Sequence, residues 1–562
     1  MRSARVTILV SVLSATVLVP AHGQSLKLPQ GEELNVADIV DRMNRSETAL
    51  FVRMRMYHPL VEAYIQNLAP DERLGWVATQ DEYFLGQLEV TDKPRLRPLD
   101  QERKGPNLVS RLTGAGPSGV KYLPDGFAAM AAPDWSGLDR RRYEFTFVRR
   151  EFLGEARTFV FDVRPSRDGR DGFTGRIWID DRDYSLIRFN GINRGTDQTL
   201  SSFFRRTLSF HMDGWRINVL PGVWLPAYVY SEEIDLNKAA KNPGSARFKS
   251  QVRIWGYEAQ AATSAQQQAT IRVDEPTIVD ATEPAAQLSP LMSGRRWEQE
   301  AEANVIERLE KVGLLSPPGE VDGVLETVLN NLVVTNHIAL ERPLRCRILL
   351  TSPLESFTIG RTIVLSRGLI DVLPDEASLA TMIAHELAHV VLGHPLIDTK
   401  FAFADRLMVG DGELLQALQF HHPVREEADA DERVMDILAK SPYGDKLAAA
   451  GLFVRMIAQS ASRLPKLIQP HIGDQIAATG QMPRFTTLVA QAPALAPESL
   501  DQIPALSLGA RVVVDPWSDR LTLDRSPALA PASIREKVPL AVTPLMPYLR
   551  YKEARGAPLS SR

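Results

Sequence analysis

The chain has 562 residues, of which 44% are hydrophobic and 24% charged, so its composition is that of a folded globular protein and excludes a disordered or collagen-like chain. With 65 basic and 69 acidic residues, the formal net charge is −4, and this balance gives no electrostatic reason to expect nucleic acid as a ligand. The single cysteine, Cys346, excludes an internal disulfide and a cysteine zinc cluster. Any metal site must therefore be built from His, Asp or Glu.

Residues 1–23 have the three parts of a secretory signal peptide. These are a basic start at Arg2 and Arg5, an apolar core over 6–19, and small residues up to Gly23. The core is shorter than the ~20 apolar residues of a membrane-spanning helix. Cleavage near Gly23 is predicted, and an uncleaved N-terminal anchor is the alternative. The mature chain is expected to be exported to the periplasm and to contain no transmembrane span.

Residues 24–75 are interpreted as a helical N-terminal segment. Apolar residues such as Val36 and Ile39 recur at helical spacing, which predicts a helix over 36–68. Pro59 is expected to divide this helix in two, because proline lacks the amide that a helix interior needs.

Residues 76–259 change to short alternating runs separated by turns, as in 143–147, 158–163 and 175–180. Antiparallel meanders of this kind close into barrels or curl into half-barrels. The stretch at about 140–240 resembles the curved sheet of periplasmic lipoprotein carriers, which implies a half-barrel. An ordinary structural sheet and a lipid-binding cavity both remain open as interpretations.

The second half of the chain has a different character. An Ala-, Gln-, Thr- and Pro-rich stretch at 260–290 has the composition of a linker. The apolar period over 291–490 is helical, and a Pro- and Leu-rich extension follows at 491–562. The predicted elements are helices at 297–312, 321–333, 376–394 and 426–440, and strands at 344–351 and 362–365.

Residues 385–389 read HELAH, an HExxH motif inside the apolar helix predicted at 376–394. His385 and His389 are one helical turn apart on the same face, so both imidazoles can reach one ion. Glu386 then lies beside the open position of the metal, where it can accept a proton from water. A pair of surface histidines is the alternative, and the apolar surroundings disfavour it because buried imidazoles need partners.

Such a zinc site requires a third protein ligand. The metzincin class of HExxH peptidases would place a histidine at position 395, which is Pro395. Glu427 and Asp431 offer carboxylates one turn apart, and they are assigned to zinc and to a hydrogen bond with a ligand histidine, respectively. An exposed acidic helix start is the alternative for both. His421 and His422 are interpreted as part of a loop.

Two motifs in this half resemble those of metallopeptidase family 48, which includes the CAAX prenyl protease and HtpX. The first lies within 368–394 and contains GLI, LATMI and HELAHVVLGH; the second combines Glu427 with Ala430 and Asp431. The resemblance covers about residues 295–490 and implies a zinc endopeptidase. It also implies misfolded or stalled envelope proteins as substrates, and peripheral contact with outer-membrane assembly proteins.

The resemblance assigns several further positions. Glu355, Ser356 and Phe357 stand where the family pairs with the substrate backbone, although they depart from its Asn-Ala-Phe-like sequence. Arg484 corresponds to an arginine near the end of the family's domain. His471 lies near a place where the family has a His-Pro element; it is interpreted as a transition-state donor, as a plug on the zinc, or as an ordinary surface histidine.

The sequence therefore predicts an α+β protein, with a curved, half-barrel-like antiparallel sheet followed by a mainly helical zinc-peptidase domain. His385, His389 and Glu427 are expected to hold one Zn²⁺ per chain, and Glu386 to act as general base in peptide hydrolysis. The expected partners are unfolded or misfolded envelope polypeptides, with no nucleic acid. The alternative is a periplasmic carrier or chaperone-like binding protein whose zinc site is structural or vestigial.

Overall fold

Most residues between 33 and 496 are described in the computed structural model, together with short strands near both ends. The predicted signal peptide at 1–23, residues 260–289 of the predicted linker, and His471 lie outside the described residues. The described ranges are 25–27, 33–72, 75–91, 93–99, 122–166, 172–196, 207–233, 247–257, 290–340, 342–394, 420–469, 472–474, 476, 484–496, 512–514 and 521–523.

The first helix, α1 (Val36–Met54), begins where the sequence predicts and ends earlier. The Asn35 side chain accepts a hydrogen bond from the Ala37 amide at 3.1 Å, which caps the first turn. The prediction of further helix after it is wrong, because strand β3 (Leu60–Asp71) follows. Most of β3 is buried on both faces, and this removes the alternation of apolar and polar residues by which a strand is recognised.

The predicted antiparallel sheet is confirmed, with β3 as an additional strand. Its other members are β4 (Gly75–Val90), β5 (Pro94–Pro98), β6 (Tyr143–Leu153), β7 (Ala156–Pro165), β8 (Gly172–Asp180), β9 (Leu186–Thr196), β10 (Thr207–Leu220), β11 (Val223–Glu233) and β12 (Arg247–Trp255). The order of the ten strands is β5-β4-β3-β12-β11-β10-β9-β8-β7-β6. The sheet is open, and β5 and β6 are its edges.

The two faces of the sheet are buried against different parts of the molecule. On β11, Val229 packs in one cluster with Ile39 and Met43 of α1. The neighbouring residues Tyr228 and Tyr230 point to the opposite face and share a cluster with the core of the helical half. The sheet is therefore a central layer, with α1 on one side and the helical half on the other.

The predicted elements of the helical half are confirmed, with ends shifted by a few residues. A three-stranded sheet in the order β13-β15-β14 lies among its helices, with β14 at the edge and antiparallel to β15. The strands are β13 (Arg345–Leu349), β14 (Ser356–Ile359) and β15 (Thr362–Ser366). The helices after the short α2 (Pro124–Ala128) are α3 (Pro290–Val312), α4 (Glu320–Thr335), α5 (Arg367–Val372), α6 (Glu376–Leu392), α7 (Val424–Ala439), α8 (Leu447–Ser460), α9 (Pro465–Ile468) and α10 (Thr486–Gln491).

Four short strands complete the described chain outside these layers. One antiparallel pair, β1 (Ser25–Lys27) with β2 (Glu33–Asn35), precedes α1. The other, β16 (Val512–Val514) with β17 (Leu521–Leu523), lies in the C-terminal extension. Among the described helices, none combines the length and apolarity that a membrane crossing requires. The predicted α+β class is confirmed.

Buried polar contacts connect the large sheet to the helical half. The Glu62 carboxylate on β3 accepts hydrogen bonds from the Ser352 amide and hydroxyl, both at 2.6 Å, and is 1% exposed. The Asp81 carboxylate on β4 accepts hydrogen bonds from the amides of Lys466 and Leu467 at 3.0 and 2.8 Å. Since buried carboxylates need such partners, these contacts determine how the two halves sit together.

Candidate metal centre

Helix α6 carries the HExxH residues through the core of the helical half. It begins at Asp375, whose side chain accepts a hydrogen bond from the Ser378 amide at 2.8 Å, and it ends at Gly393, whose φ of +72° is the left-handed conformation that favours glycine. Its residues from 377 to 389 are all buried. Burial on all sides positions the histidines rigidly on the helix.

The three predicted metal ligands lie together. The Nε2 atoms of His385 and His389 are 3.1 Å apart, and Glu427 Oε2 is 3.2 Å from His385 Nε2. Glu427 reaches this point from the first turn of α7, which packs beside α6. All three side chains are buried, with exposures of 3%, 1% and 7%.

Asp431 and Arg484 surround the outer side of His385. Asp431 Oδ1 is 3.2 Å from His385 Nδ1, at an angle outside hydrogen-bond geometry. The Arg484 guanidinium donates to both oxygens of Asp431, at 2.8 and 3.1 Å, and its Nη2 is 2.7 Å from Glu427 Oε2. The same Nη2 lies 3.1 Å from His385 Nε2. A positive charge therefore already contacts two of the predicted ligand atoms.

Glu386 is completely buried next to these histidines, and its two oxygens have different surroundings. Oε2 accepts a hydrogen bond from the Thr358 hydroxyl on β14 at 2.8 Å. Oε1 has no hydrogen-bond partner among the described residues. A buried carboxylate oxygen without a partner is energetically costly, and such an oxygen commonly marks a functional position.

The structure adds two residues that sequence reasoning missed. His422, interpreted as part of a loop, is 7% exposed, and its ring stacks on His389 at 3.7 Å between centroids. Asp474 accepts hydrogen bonds from the amide and from the Nδ1 of His422, both at 2.7 Å. Donor atoms of His389, His422, Glu427 and Asp474 all lie within 4.8 Å of one another. The position of His422 just before α7 was the only available signal, because Asp474 stands in no motif.

Crowding of charges shifts several pKa values in the site. Burial would lower the pKa of His385, but the adjacent carboxylates of Asp431 and Glu427 raise it to about 10. Burial, together with the neighbouring charge of His385, lowers the pKa of His389 to about 2. Burial and the carboxylates of Glu427 and Glu386 raise the pKa of Asp474. The site thus holds more buried carboxylates than positively charged groups that could neutralise them.

The predicted substrate-pairing residues lie on and just before the edge strand β14. Phe357 points into the core, where it stacks on Phe420 at 4.7 Å between centroids. The Asp474 amide donates to the Ser356 carbonyl at 2.9 Å, and the Ile472 amide donates to Glu355 Oε1 at 3.3 Å. The segment 472–474 of this chain therefore lies along the β14 edge.

Residues 322–454 match the family model described as Peptidase family M48, a family of metallopeptidases. The match spans α4 to α8 and contains both motifs from which the resemblance was inferred, so that resemblance is confirmed for this part of the chain. No curated protein sequence matches the chain.

Two solved structures are similar to part of the chain. A LolA superfamily protein from Nitrosomonas europaea is 10% identical, covers 39% of this chain and 90% of its own, and gives a TM-score of 0.18. A complex of MucA and MucB from Pseudomonas aeruginosa is 11% identical and covers 40% of this chain and 94% of its own. Its TM-score is 0.12. TM-scores this low carry no conclusion about function.

Proposed function

We propose that the helical half is a zinc-dependent endopeptidase in which His385, His389 and Glu427 hold the metal and Glu386 is the general base. The observation that carries this proposal is the convergence of two imidazole nitrogens and one carboxylate oxygen at 3.1–3.2 Å in a buried site. The family match at 322–454 supports the same class of enzyme.

The donor atoms suit zinc in both type and spacing. Ligand atoms at Zn–N and Zn–O distances of about 2.0–2.1 Å in a tetrahedral site lie roughly 3.3 Å from one another. The spacings of His385 from His389 and from Glu427, 3.1 and 3.2 Å, are close to this value. The contact between the Arg484 guanidinium and two of these donors also supports a preference for a cation here. A divalent cation would relieve the repulsion among the buried carboxylates.

Bound zinc supplies Lewis-acid polarisation of a peptide carbonyl and makes a water molecule more acidic. Glu386 supplies the matching base, because its Oε1 is free to accept a proton while Thr358 holds Oε2 in place. The same oxygen then delivers the proton to the leaving amine.

Asp431 and Arg484 are proposed as positioning residues. Arg484 connects Asp431 with Glu427, so it holds the two carboxylates of α7 in a fixed relation to the His385 ring. The sequence-based roles of Glu355, Ser356 and Phe357 as the substrate strand remain proposals. So does a regulatory or transition-state role for His471, which lies outside the described residues.

The proposed setting is the periplasm or another exported compartment, on the basis of the signal-peptide pattern at 1–23. Unfolded or misfolded envelope polypeptides are the proposed substrates, with peripheral contact to outer-membrane assembly proteins. The linker at 260–290 is the proposed boundary between the β-rich unit and the peptidase.

The rival proposal, a carrier or chaperone-like protein with a structural zinc site, differs in what it requires of Glu386. A structural zinc site is closed by four protein ligands and has no need of a base. The buried Oε1 of Glu386 without a partner favours the enzyme.

The deciding experiment compares wild type with Glu386→Gln on casein and other unfolded proteins. The substitution keeps the shape of the side chain and removes the base, so hydrolysis should fall roughly 10²–10⁴-fold. Zinc content should stay close to one per chain, because Glu386 is not a ligand. Equal hydrolysis by both proteins would contradict the role of Glu386 as general base. Inactivity of both with zinc bound, together with full biological function of Glu386→Gln, would favour the carrier.

A further inference from the structure

A cavity lies in the sheet half, and none of its lining residues belongs to the metal centre. It has a volume of about 580 Å³ and lies between α1, the β8–β9 turn and the β10–β11 turn. Four arginines and two carboxylates are among the residues that line it. The charged residues are Arg42, Arg45, Arg53, Arg216, Glu47 and Asp183.

Three of these arginines form a stripe along α1. Arg42, Arg45 and Arg53 are spaced by three and eight residues, which places them on one face of the helix. Ala49 lies between them and leaves room above the helix. The three arginines make no ion pair with any described carboxylate; Arg45 Nε donates only to the Asp41 carbonyl, at 3.3 Å. Their positive charge therefore remains available in the cavity.

The two carboxylates of the cavity are already engaged. Glu47 accepts two hydrogen bonds from Arg216, at 2.5 and 2.7 Å, and both side chains are buried. The Arg216 Nε, in a residue that is 1% exposed, has no hydrogen-bond partner among the described residues. Asp183 accepts from the Ser185 amide and from Trp224 Nε1. The cavity thus has an excess of positive charge and one buried donor without an acceptor.

The remaining wall is apolar and aromatic. Tyr184 lies under the Arg42 guanidinium, 5.0 Å from carbon to ring centroid. Leu50 and Trp224 are buried, and Val223 is half-buried beside them. A stacked guanidinium is held flat, which prepares it for planar, two-pronged contact with an oxyanion.

We propose that this cavity binds a phosphate-bearing ligand. Its phosphate contacts Arg42, Arg45 and Arg53, and the organic part packs on Tyr184 and Trp224. Three arginines without a described carboxylate partner carry more positive charge than one carboxylate neutralises. A phosphate group presents one or two negative charges and two or three terminal oxygens to guanidinium forks. A soluble organic phosphate and a phospholipid headgroup share this chemistry.

The test is a binding titration of the full chain with four probes. They are inorganic phosphate, phenyl phosphate, benzoate, and vesicles of phosphatidylglycerol with phosphatidylcholine vesicles as reference. Phenyl phosphate should bind at least about tenfold more tightly than benzoate and than inorganic phosphate. Vesicle binding without phenyl phosphate binding assigns the site to a lipid headgroup; phenyl phosphate binding without vesicle binding assigns it to a soluble ligand.

Two double variants distinguish binding in this cavity from a general effect of the net charge of the protein. Arg42→Gln/Arg53→Gln should weaken binding at least about tenfold, because each lost guanidinium removes charge-assisted hydrogen bonds. Arg55→Gln/Arg463→Gln changes the net charge equally at exposed arginines that do not line the cavity, and it should leave binding within about twofold.

Ala49→Glu tests whether binding can be lost while the protein remains folded. The new carboxylate lies four residues from both Arg45 and Arg53, so it should pair with them on the helix surface, keep the melting temperature and abolish binding. Absence of binding by phenyl phosphate and by anionic vesicles, equal loss in both double variants, or equal affinity for benzoate and phenyl phosphate would overturn the proposal.

Discussion

At the residue scale, the chemistry of the metal centre depends on how His385 is held. Its Nε2 faces His389 and Glu427, while Asp431 lies against its other nitrogen at 3.2 Å. The carboxylates that raise the pKa of His385 also favour its protonated form, which cannot bind a metal. Metal binding at this site must therefore release a proton, and Arg484 offsets part of the carboxylate charge.

Glu427→Gln tests the third ligand. The amide keeps the shape but removes the only anionic donor of the proposed set, so zinc affinity should fall by more than the roughly 10–100-fold that loss of an outer-shell partner costs. The measurement is zinc competition against a chelator of known affinity. Glu432→Gln, an exposed glutamate on the same helix, is the matched control and should keep its zinc. Full zinc affinity in Glu427→Gln would move the ligand role to Asp474 or His422.

At the element scale, β14 connects the site with the rest of the helical half. Its Thr358 holds Glu386, and its outer edge is bridged by Asp474, which in turn holds His422. Gly473 allows this close approach, since a Cβ there would lie 2.7 Å from the Ser356 carbonyl oxygen. One short strand thus links the proposed base, the stacked histidine and the edge proposed for pairing with a peptide.

Gly368→Ala tests the packing that positions this strand. Gly368 starts α5, and an added Cβ would overlap the backbone of Ser352, which itself anchors on Glu62. Because backbone cannot move aside cheaply, the free energy of unfolding should fall by about 1–3 kcal/mol or more. Gly323→Ala is the control: its exposed position on α4 has nothing within 4 Å, so it should be neutral or stabilising by up to ~1 kcal/mol. Urea denaturation measures both, and equal effects would contradict the packing argument.

At the scale of the whole molecule, the halves are joined by buried polar groups rather than by contact of apolar surfaces alone. Glu62 on the sheet accepts hydrogen bonds from Ser352, and Asp81 accepts from the amides of Lys466 and Leu467 in α9. Such contacts are specific in geometry, and breaking one leaves a buried charge without partners. The sheet is therefore part of the structural support of the peptidase half.

The Asp81 contact predicts a pH dependence of stability. Burial is the largest effect and raises the pKa of Asp81 to about 6, although the amides of Lys466 and Leu467 oppose it. A folded pKa above the ordinary value means that the folded state binds the proton more tightly, so this stabilisation is present below about pH 4 and is lost as the pH rises through about 6.

Asp81→Asn should remove this pH-dependent contribution to stability. The free energy of unfolding of wild type relative to the variant should decrease by up to roughly 3 kcal/mol between about pH 4 and pH 7, as two pKa units imply. Urea denaturation at several pH values measures this difference, in which the titration of other carboxylates cancels. A flat or rising difference would contradict the assignment.

The proposed boundary at 260–290 predicts a particular result of limited proteolysis. Its composition favours early cleavage there. Because Glu62 and Asp81 hold the halves together, the two fragments should still elute as one species in gel filtration and separate only in denaturant. First cleavage within 300–480 would refute the boundary, and separation of the native fragments would refute the role of the junction.

The sequence by itself determined those features that depend on local spacing. The HExxH pair shares a helix face because four residues make one turn, and the strands of the sheet alternate visibly from about residue 143 onward. The second motif identified Glu427 and Asp431 for the same reason. Asn35 is a typical cap residue, and α1 begins directly after it.

Only the tertiary structure decided which distant residues meet. Leu60–Asp71 became a strand because both of its faces are covered, by α1 and by the helical half, and no local pattern records that. His422 and Asp474 are in contact although they are 52 positions apart in the sequence. The arginines of α1 lie beside the β8–β9 and β10–β11 turns, which come much later in the chain. Such contacts depend on chain topology and burial, and neither produces a periodic pattern in the sequence around the contacting residues.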